Sequence, residues 1–175
     1  MNNSHRLAPF ADVIFAMDRG WWNEYGLEIK SPAELWTTNR EAARVYNLNH
    51  INGEPGGGIS RRPNCIKLGG NSGFQALGLA LHFGAAKVVL LGYDLQLTHG
   101  RTHWHGDHLR LGNPLPIRMR EWLLRFGELA RETRVPIINA SRASALACFP
   151  RTWLADALGL EESHEGMAEP AARSA

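Results

Sequence analysis

A glycine-rich segment in the middle of the chain has the residue types of an anion-binding site. It reads Gly69-Gly70-Asn71-Ser72-Gly73 and precedes an apolar run with helical spacing. Backbone N–H groups at the start of a helix favour phosphate or carboxylate, and glycines let a ligand approach the backbone closely. We therefore predict that Gly70, Asn71, Ser72 and Gly73 contact a ligand. The alternative is that Asn71 or Ser72 only caps the helix, a position that both residue types favour.

A histidine-rich segment follows, Thr102-His103-Trp104-His105-Gly106-Asp107-His108. Alternate histidines in an extended loop can point at one metal ion, so His103, His105, Asp107 and His108 form a candidate metal site. The order His-x-His-x-Asp-His also resembles the signature of metallo-β-lactamase-fold hydrolases. That family needs further histidine and aspartate ligands downstream, whereas only His164 follows His108 among the histidines here. We therefore treat the match as a coincidence.

The same histidines have two other interpretations. An imidazole whose pKa lies near neutral suits proton removal from a hydroxyl, which makes His103 and His108 candidates for a general base. The segment could equally be a solvated loop held by histidine hydrogen bonds. The sequence leaves these alternatives open.

Three further polar residues, Asp18, Asp94 and Asn139, follow predicted strands. Ligands of open α/β sheets bind at the carboxyl ends of the strands. We therefore predict that Asp18 and Asn139 border the ligand, and we place Asp94 with the histidines among the candidate catalytic residues. Each aspartate could instead cap the turn that follows it.

Alternating strands and helices must position these residues. Short apolar runs predict strands at residues 11–17, 64–68, 87–91 and 135–138. Apolar residues at three- and four-residue spacing predict helices at residues 74–83 and 116–134, and a short helix is expected at 153–158. This alternation indicates an α/β fold with a mostly parallel sheet.

The segments between these elements have weaker patterns. Residues 19–25 indicate a turn or short helix, 27–30 a short strand, 31–34 a helix start and 53–58 a flexible glycine loop. Residues 39–50 are ambiguous between helix and strand. We expect one domain over residues 1–160 and a disordered tail over residues 161–175.

The composition is that of an ordinary globular domain, with 175 residues, 44% hydrophobic and 21% charged residues and a net charge of +2. The arginines are scattered, so no nucleic-acid patch is evident. No apolar run approaches the roughly 18 residues of a membrane span, and the first residues lack the apolar core of a signal peptide. We expect a cytoplasmic protein with reduced cysteines, in which Cys65 is a small core residue. The sequence leaves a homo-oligomer open.

The Asn71-Ser72-Gly73 turn, its helix and the strand Val88-Val89-Leu90-Leu91-Gly92-Tyr93-Asp94 also carry a resemblance. They resemble phage and prophage proteins related to the 6-hydroxymethylpterin diphosphokinase-like family, and more distantly the bacterial sialyltransferases that act on lipooligosaccharide. Further similarity lies at residues 7–12, at Asp18 with Trp21-Trp22, and at residues 139–150. The resemblance thus covers most of residues 5–155.

The resemblance implies a Rossmann-like, mostly parallel sheet with flanking helices. In those families a first strand and a Gly-Pro-Ser turn help to hold a nucleotide, and we expect that first βα unit to be missing here. The distant transferases bind a cytidine nucleotide sugar partly through the Ser-Gly turn and use a histidine as general base. By resemblance, Asn71, Ser72 and Gly73 would hold the donor, with Asp94 beside it.

We therefore expect a nucleotide- or nucleotide-sugar-binding, transferase-like protein of phage or prophage origin, which acts in glycosyl or pyrophosphoryl transfer in the host cytoplasm. Its partner would be a small nucleotide-type ligand, and the need for a divalent metal is open. One alternative is a metal-dependent hydrolase that uses His103, His105, Asp107 and His108. A second alternative is a non-catalytic ligand-binding protein.

Overall fold

The computed structural model describes residues 2–97 and 116–160 of the chain. Within those ranges, strands and helices alternate along most of the sequence. The strands are β1 Val13–Phe15, β2 Glu34–Thr37, β3 Asn49–His50, β4 Asn52–Glu54, β5 Cys65–Lys67, β6 Val88–Leu90 and β7 Ile137–Asn139. The α-helices are α1 Arg19–Tyr25, α2 Arg40–Tyr46, α3 Ser72–His82, α4 Pro116–Glu132 and α5 Leu154–Leu158.

In the described residues all strand pairs are parallel, and they form three small sheets with the orders β1-β2-β3, β4-β5 and β6-β7. The mixed α/β class and the parallel pairing are therefore confirmed. A single continuous sheet, which the sequence predicts, is not what the described residues form. The first two sheets are joined through Ile51, because β3 runs directly into β4. The Ile51 N–H donates to the Thr37 carbonyl oxygen at 3.1 Å, and the Asn52 N–H donates to the Asn64 carbonyl oxygen at 3.2 Å.

Two predictions between residues 27 and 34 are wrong. The segment predicted as a strand at 27–30 is instead a short 3-10 helix, Gly26–Glu28, followed by extended chain. The helix start predicted at 31–34 is the approach to β2, whose Glu34 pairs with Val13 of β1. The ambiguity at 39–50 is resolved into α2 and β3. The side chain of Asn39 caps α2 by accepting from the Ala42 N–H at 2.9 Å.

The largest core cluster lies between α3, α4 and the β6-β7 sheet, and its buried members include Phe74, Leu77, Phe126, Leu129 and Leu146. Close packing of such side chains is the main stabilising term of a domain of this size.

A second cluster surrounds Trp21 and Trp22, which are 1% and 0% exposed. Their indole N–H groups donate to the Asn3 side-chain oxygen at 2.8 Å and to the Ala16 carbonyl oxygen at 3.0 Å. This tryptophan pair is therefore core, with its polar atoms satisfied. Cys65 is 5% exposed and is also a core residue, as predicted.

The glycine segment predicted as a flexible loop packs closely against α4. A Cβ atom at Gly57 would overlap the Glu128 carboxylate, and one at Gly58 would lie 2.8 Å from Cδ of Glu132. The Ile59 N–H donates to Oε2 of Glu132 at 2.8 Å. Both positions favour glycine, because a Cβ atom at Gly57 would also lie 3.0 Å from Cα of Arg125 and Gly58 has a φ of +73°.

None of the helices in the described ranges combines the length and the apolarity that crossing a membrane requires.

Candidate functional site

The predicted anion-binding turn lies at the N-terminus of α3. Gly69 and Gly70 have φ values of +55° and +74°, which side chains rarely adopt, so the turn depends on glycine. Oδ1 of Asn71 accepts from the Phe74 N–H at 3.0 Å, which makes Asn71 the helix cap. Helix geometry leaves the N–H groups of Ser72 and Gly73 without an intrahelical acceptor. Gly70 is exposed and Asn71 is half-buried, whereas Ser72 and Gly73 are buried.

The carboxyl end of β1 reaches the same turn. The Met17 N–H donates to Oγ of Ser72 at 3.3 Å. Asp18, the next residue, is exposed and stands at the start of α1, where its carbonyl oxygen accepts from the N–H groups of Trp21 and Trp22. The Ser72 hydroxyl therefore holds the backbone that presents Asp18 beside the first turn of α3.

A buried amide, Gln75, joins the ends of two more strands to α3. Gln75 is 1% exposed. Its Oε1 accepts from the Thr38 hydroxyl, just after β2, at 2.7 Å. Its Nε2 donates to the Leu68 carbonyl oxygen, just after β5, at 2.9 Å and lies 3.1 Å from the sulfur of Met17. The strand ends of the first two sheets thus meet at one helical turn.

Tyr93 connects the loop after β6 to the same place. Its hydroxyl donates to the Gly73 carbonyl oxygen at 3.0 Å, and burial raises the pKa of Tyr93 above its ordinary value. The phenol is therefore neutral at physiological pH and acts as a donor. Asp94 follows it, is half-buried, and accepts from the Ala145 N–H through its carbonyl oxygen at 2.8 Å.

Asn139 at the end of β7 is fully buried and holds the loop that contacts Tyr93. Its Nδ2 donates to Oγ of Ser144 at 2.9 Å and to the Leu146 carbonyl oxygen at 3.2 Å, and its Oδ1 accepts from the Ser141 N–H at 3.1 Å. The Ser144 hydroxyl in turn donates to the Tyr93 carbonyl oxygen at 2.6 Å. This arrangement gives Asn139 a positioning role, and its predicted contact with a ligand stays a prediction.

Two larger side chains stand at the rim of this arrangement. Trp122 of α4 lies beside the glycine turn, since a Cβ atom at Gly70 would be 3.3 Å from its indole Nε1. Arg151 donates to the carbonyl oxygens of Ser141 at 3.0 Å and Arg142 at 2.9 Å. Its Nε is a buried donor without an acceptor in the part of the chain that the structure describes.

The structure thus brings together most of the residues singled out in the sequence. Hydrogen bonds link Ser72 to the residue before Asp18, Gly73 to the residue before Asp94, and Asn139 through Ser144 to Tyr93. The histidine segment, with His103, His105, Asp107 and His108, lies outside the described residues. Residues 2–97 and 116–160 contain no group of three side chains placed to bind a metal ion.

Sequence reasoning missed Thr38, Gln75, Tyr93 and Trp122 as parts of the site. Gln75 carried a signal, because it is a polar residue within the apolar stripe of a helix and so required a buried partner. Thr38 was missed because a helix start was predicted at residues 31–34, so no strand end was expected just before Thr38. Trp122 falls on the apolar face of α4, where core packing was the simpler interpretation.

Comparison with known proteins gave no match, whether to a protein-family model, a curated protein or a solved structure.

Chemically, the arrangement offers helix N–H groups beside an exposed glycine turn, with an exposed carboxylate at Asp18 and a half-buried aspartate at Asp94. The N-terminus of a helix carries about half a positive elementary charge, which attracts anions. The chemistry fits an anionic ligand whose other end offers hydroxyl groups to carboxylates.

Proposed function

We propose that this chain is a nucleotide- or nucleotide-sugar-binding protein of the transferase-like type, with the phosphate held at the first turn of α3. One observation carries the proposal: the loops that follow β1, β2, β5 and β6 all hydrogen-bond to Ser72, Gly73 or Gln75. Ligands of parallel α/β sheets bind at such a meeting of carboxyl ends. A Rossmann-like relation between the three small sheets is part of the same proposal.

The phosphate would bind the N–H groups of Ser72 and Gly73. Asn71 already caps the N–H of Phe74, so these two donors are the ones that helix geometry leaves for a ligand. The exposed Gly70 presents its backbone without a side chain of its own. Arg151, which donates to the Ser141 carbonyl oxygen, would add positive charge on the β7 side.

The two aspartates would bind the rest of the donor. The exposed carboxylate of Asp18 is suited to accept hydrogen bonds from ribose hydroxyls, the role that acidic residues play in many nucleotide sites. Asp94 follows Tyr93, whose hydroxyl donates to the Gly73 carbonyl oxygen. Trp122 would flank the site with an aromatic surface beside Gly70.

The transfer step would need a general base. In the proposed reaction, His103 or His108 removes the proton of an acceptor hydroxyl while its oxygen attacks the donor, and the nucleotide phosphate leaves with the bonding electron pair. Asp94 would orient the reacting groups. The resemblance to transferases that use a cytidine nucleotide sugar supports a pyrimidine nucleotide as the first ligand to test.

The test is a thermal-shift panel of cytidine and uridine nucleotides and their sugar conjugates, run with and without Mg²⁺ or Mn²⁺. A ligand that binds only the folded chain raises its Tm in proportion to the logarithm of its concentration above Kd. We expect pyrimidine nucleotides to raise Tm. Asn71→Ala and Ser72→Ala remove bonds that hold the first turn of α3, so we expect each to weaken the apparent affinity for the nucleotide at least tenfold.

Asn39→Ala is the matched control, because Asn39 caps α2 with the same bond that Asn71 makes in α3, at 2.9 Å and 3.0 Å. Each substitution removes one cap and should cost about 1 kcal/mol of stability. Only Asn71→Ala should weaken nucleotide binding. An equal loss of nucleotide affinity in both variants, or no rise in Tm with any nucleotide, contradicts the proposal. Stabilisation by metal alone, lost in His105→Ala, would favour the metal-dependent hydrolase.

A further inference from the structure

A cavity of about 160 Å³ lies at the other end of α3, between that helix, β5 and α4. Its most buried hydrophobic lining residues are Cys65, Ile66 and Leu129, which are 5%, 2% and 0% exposed. A cavity of about 150 Å³ with apolar walls is large enough to bind benzene. Because α3 has 11 residues and rises about 1.5 Å per residue, the cavity is on the order of 10 Å from the phosphate site proposed above.

Gly78 contributes to this space without being required by the packing. A glycine inside a helix costs about 1 kcal/mol of stability relative to alanine. A Cβ atom at Gly78 would lie 3.6 Å from Cβ and 3.8 Å from Cγ2 of Ile66, which is ordinary van der Waals contact. At Gly53, by contrast, a Cβ atom would overlap the side chain of Leu68. The missing methyl group of Gly78 therefore enlarges the cavity and does not relieve a clash.

The chemistry of the walls defines the ligand class. Ile59 and Leu81 form apolar sides, and both also pack against the main core cluster. The polar groups of the lining include the half-buried Ser60 and the exposed His82, and no lining residue carries an aspartate, glutamate, lysine or arginine side chain. An ionised ligand would lose its hydration here without gaining an ion pair to an aspartate, glutamate, lysine or arginine of the lining.

We propose that this cavity is a second binding site, which takes a small uncharged molecule with an aromatic ring or a branched hydrocarbon group. His82 supplies a hydrogen bond to a single hydroxyl or amide group at the opening, whereas the Ser60 hydroxyl is engaged with the Glu54 carboxylate and accepts from the Arg62 N–H at 3.2 Å. The ligand fills space that the chain leaves empty at the cost of a helical glycine. This site is independent of the nucleotide site, so either proposal stands if the other fails.

Cys65 gives a direct measure of occupancy, because its thiol lines the cavity. In a full-length Cys148→Ser variant it is the only thiol, since the chain has two cysteines. Methyl methanethiosulfonate is a small reagent: the Cys65 thiolate attacks its sulfur, a methyl disulfide forms and methanesulfinate leaves. We expect phenol to slow this reaction by the factor 1 + [L]/Kd, which is about elevenfold at ten times Kd.

Gly78→Leu tests the cavity itself, because the added side chain would fill it. Labelling of Cys65 should slow at least fivefold, and phenol should have no further effect. Gly78→Ala is the milder variant should leucine not be tolerated, and it should weaken phenol protection while raising Tm. Gly127→Ala is the control. Gly127 is also inside a helix, where a Cβ atom would meet only the end of Arg131 at 3.7 Å, so phenol protection should be unchanged.

Two results would overturn the proposal. One is labelling of Cys65 that phenol and the other small neutral aromatic compounds, benzene and indole, leave unchanged. The other is labelling that occurs only when the whole chain unfolds. The labelling rate would then follow the urea dependence of unfolding, and Gly78→Ala would label at the wild-type rate after correction for its different stability.

Discussion

The hydroxyl of Tyr93 and the carbonyl oxygen of Gly73 lie 3.0 Å apart, which joins the loop after β6 to the first turn of α3. The same Tyr93 ring packs edge-on against Phe126, with ring centroids 5.9 Å apart, so the phenol is held from both sides. The hydrogen bond from the Tyr93 hydroxyl to Gly73 therefore joins groups whose positions the core already fixes. Removing the oxygen should change one bond and little else.

Tyr93→Phe should lower the free energy of unfolding by about 1 kcal/mol at pH 7, because it removes one hydrogen bond and keeps the packed ring. Urea denaturation followed by circular dichroism would measure the loss. Tyr46→Phe is the control, since its hydroxyl donates to Oδ1 of Asn23 in an exposed position at 2.7 Å. The control should change stability by less than about 0.5 kcal/mol. An equal loss in both variants would show that the Gly73 bond has no special weight.

The same substitution should alter the alkaline limit of stability. Burial raises the pKa of Tyr93 in the folded chain above its ordinary value of 10.0. The stabilisation that protonated Tyr93 gives the folded chain is therefore full below its ordinary pKa of 10.0. It is lost as the pH rises beyond that value, because the unfolded chain releases the proton first. The difference in stability between wild type and Tyr93→Phe should shrink between about pH 10 and pH 11. Parallel stability curves over that range would contradict the assignment.

Gln75→Leu should lower the free energy of unfolding by about 1–3 kcal/mol, because it removes the buried amide that bonds to the Leu68 carbonyl oxygen and the Thr38 hydroxyl. Thr38→Val removes only one of these bonds and should cost less than half as much. If Gln75 instead acts independently of Thr38, the effects of the two substitutions would add fully in the double variant. We expect them to be less than additive, because both act on one bond.

Three glycines with positive φ should respond to alanine in a fixed order. Gly84, at +80°, has open space around it, so Gly84→Ala should cost only the backbone strain of about 1–2 kcal/mol. At Gly70 the new Cβ atom would also lie 3.3 Å from Trp122, which adds a small displacement. At Gly69 it would lie 2.6 Å from Cγ of Phe74, inside the core, so this variant should lose about 1–3 kcal/mol more. A different order in thermal denaturation would contradict the packing described for this turn.

The sequence predicted elements whose determinants are local. α3 and α4 follow from apolar residues at helical spacing, and β1, β5, β6 and β7 follow from short apolar runs. The prediction failed at residues 31–34, where Ser31 and Pro32 have the local preferences of a helix start. The strand that forms there depends on pairing with β1, through Val13 and Glu34, and no local pattern reports that pairing.

In the candidate site, too, the sequence pointed only to local features. It singled out Asn71, Ser72 and Gly73 because a helix cap and its glycines are adjacent in sequence, and their contact with a ligand stays a prediction. The contacts that unite the site, such as Thr38 with Gln75 and Tyr93 with Gly73, join residues that are far apart along the chain. Only the arrangement of the elements in space reveals them.

The run of chain from β3 through Ile51 into β4 pairs with β2 in its first part and with β5 in its second. One continuous segment of backbone therefore supplies a strand to each of two separate sheets. Unfolding of either sheet would disturb the adjacent backbone that hydrogen-bonds within the other sheet. The first half of the described chain should therefore unfold as a single cooperative unit.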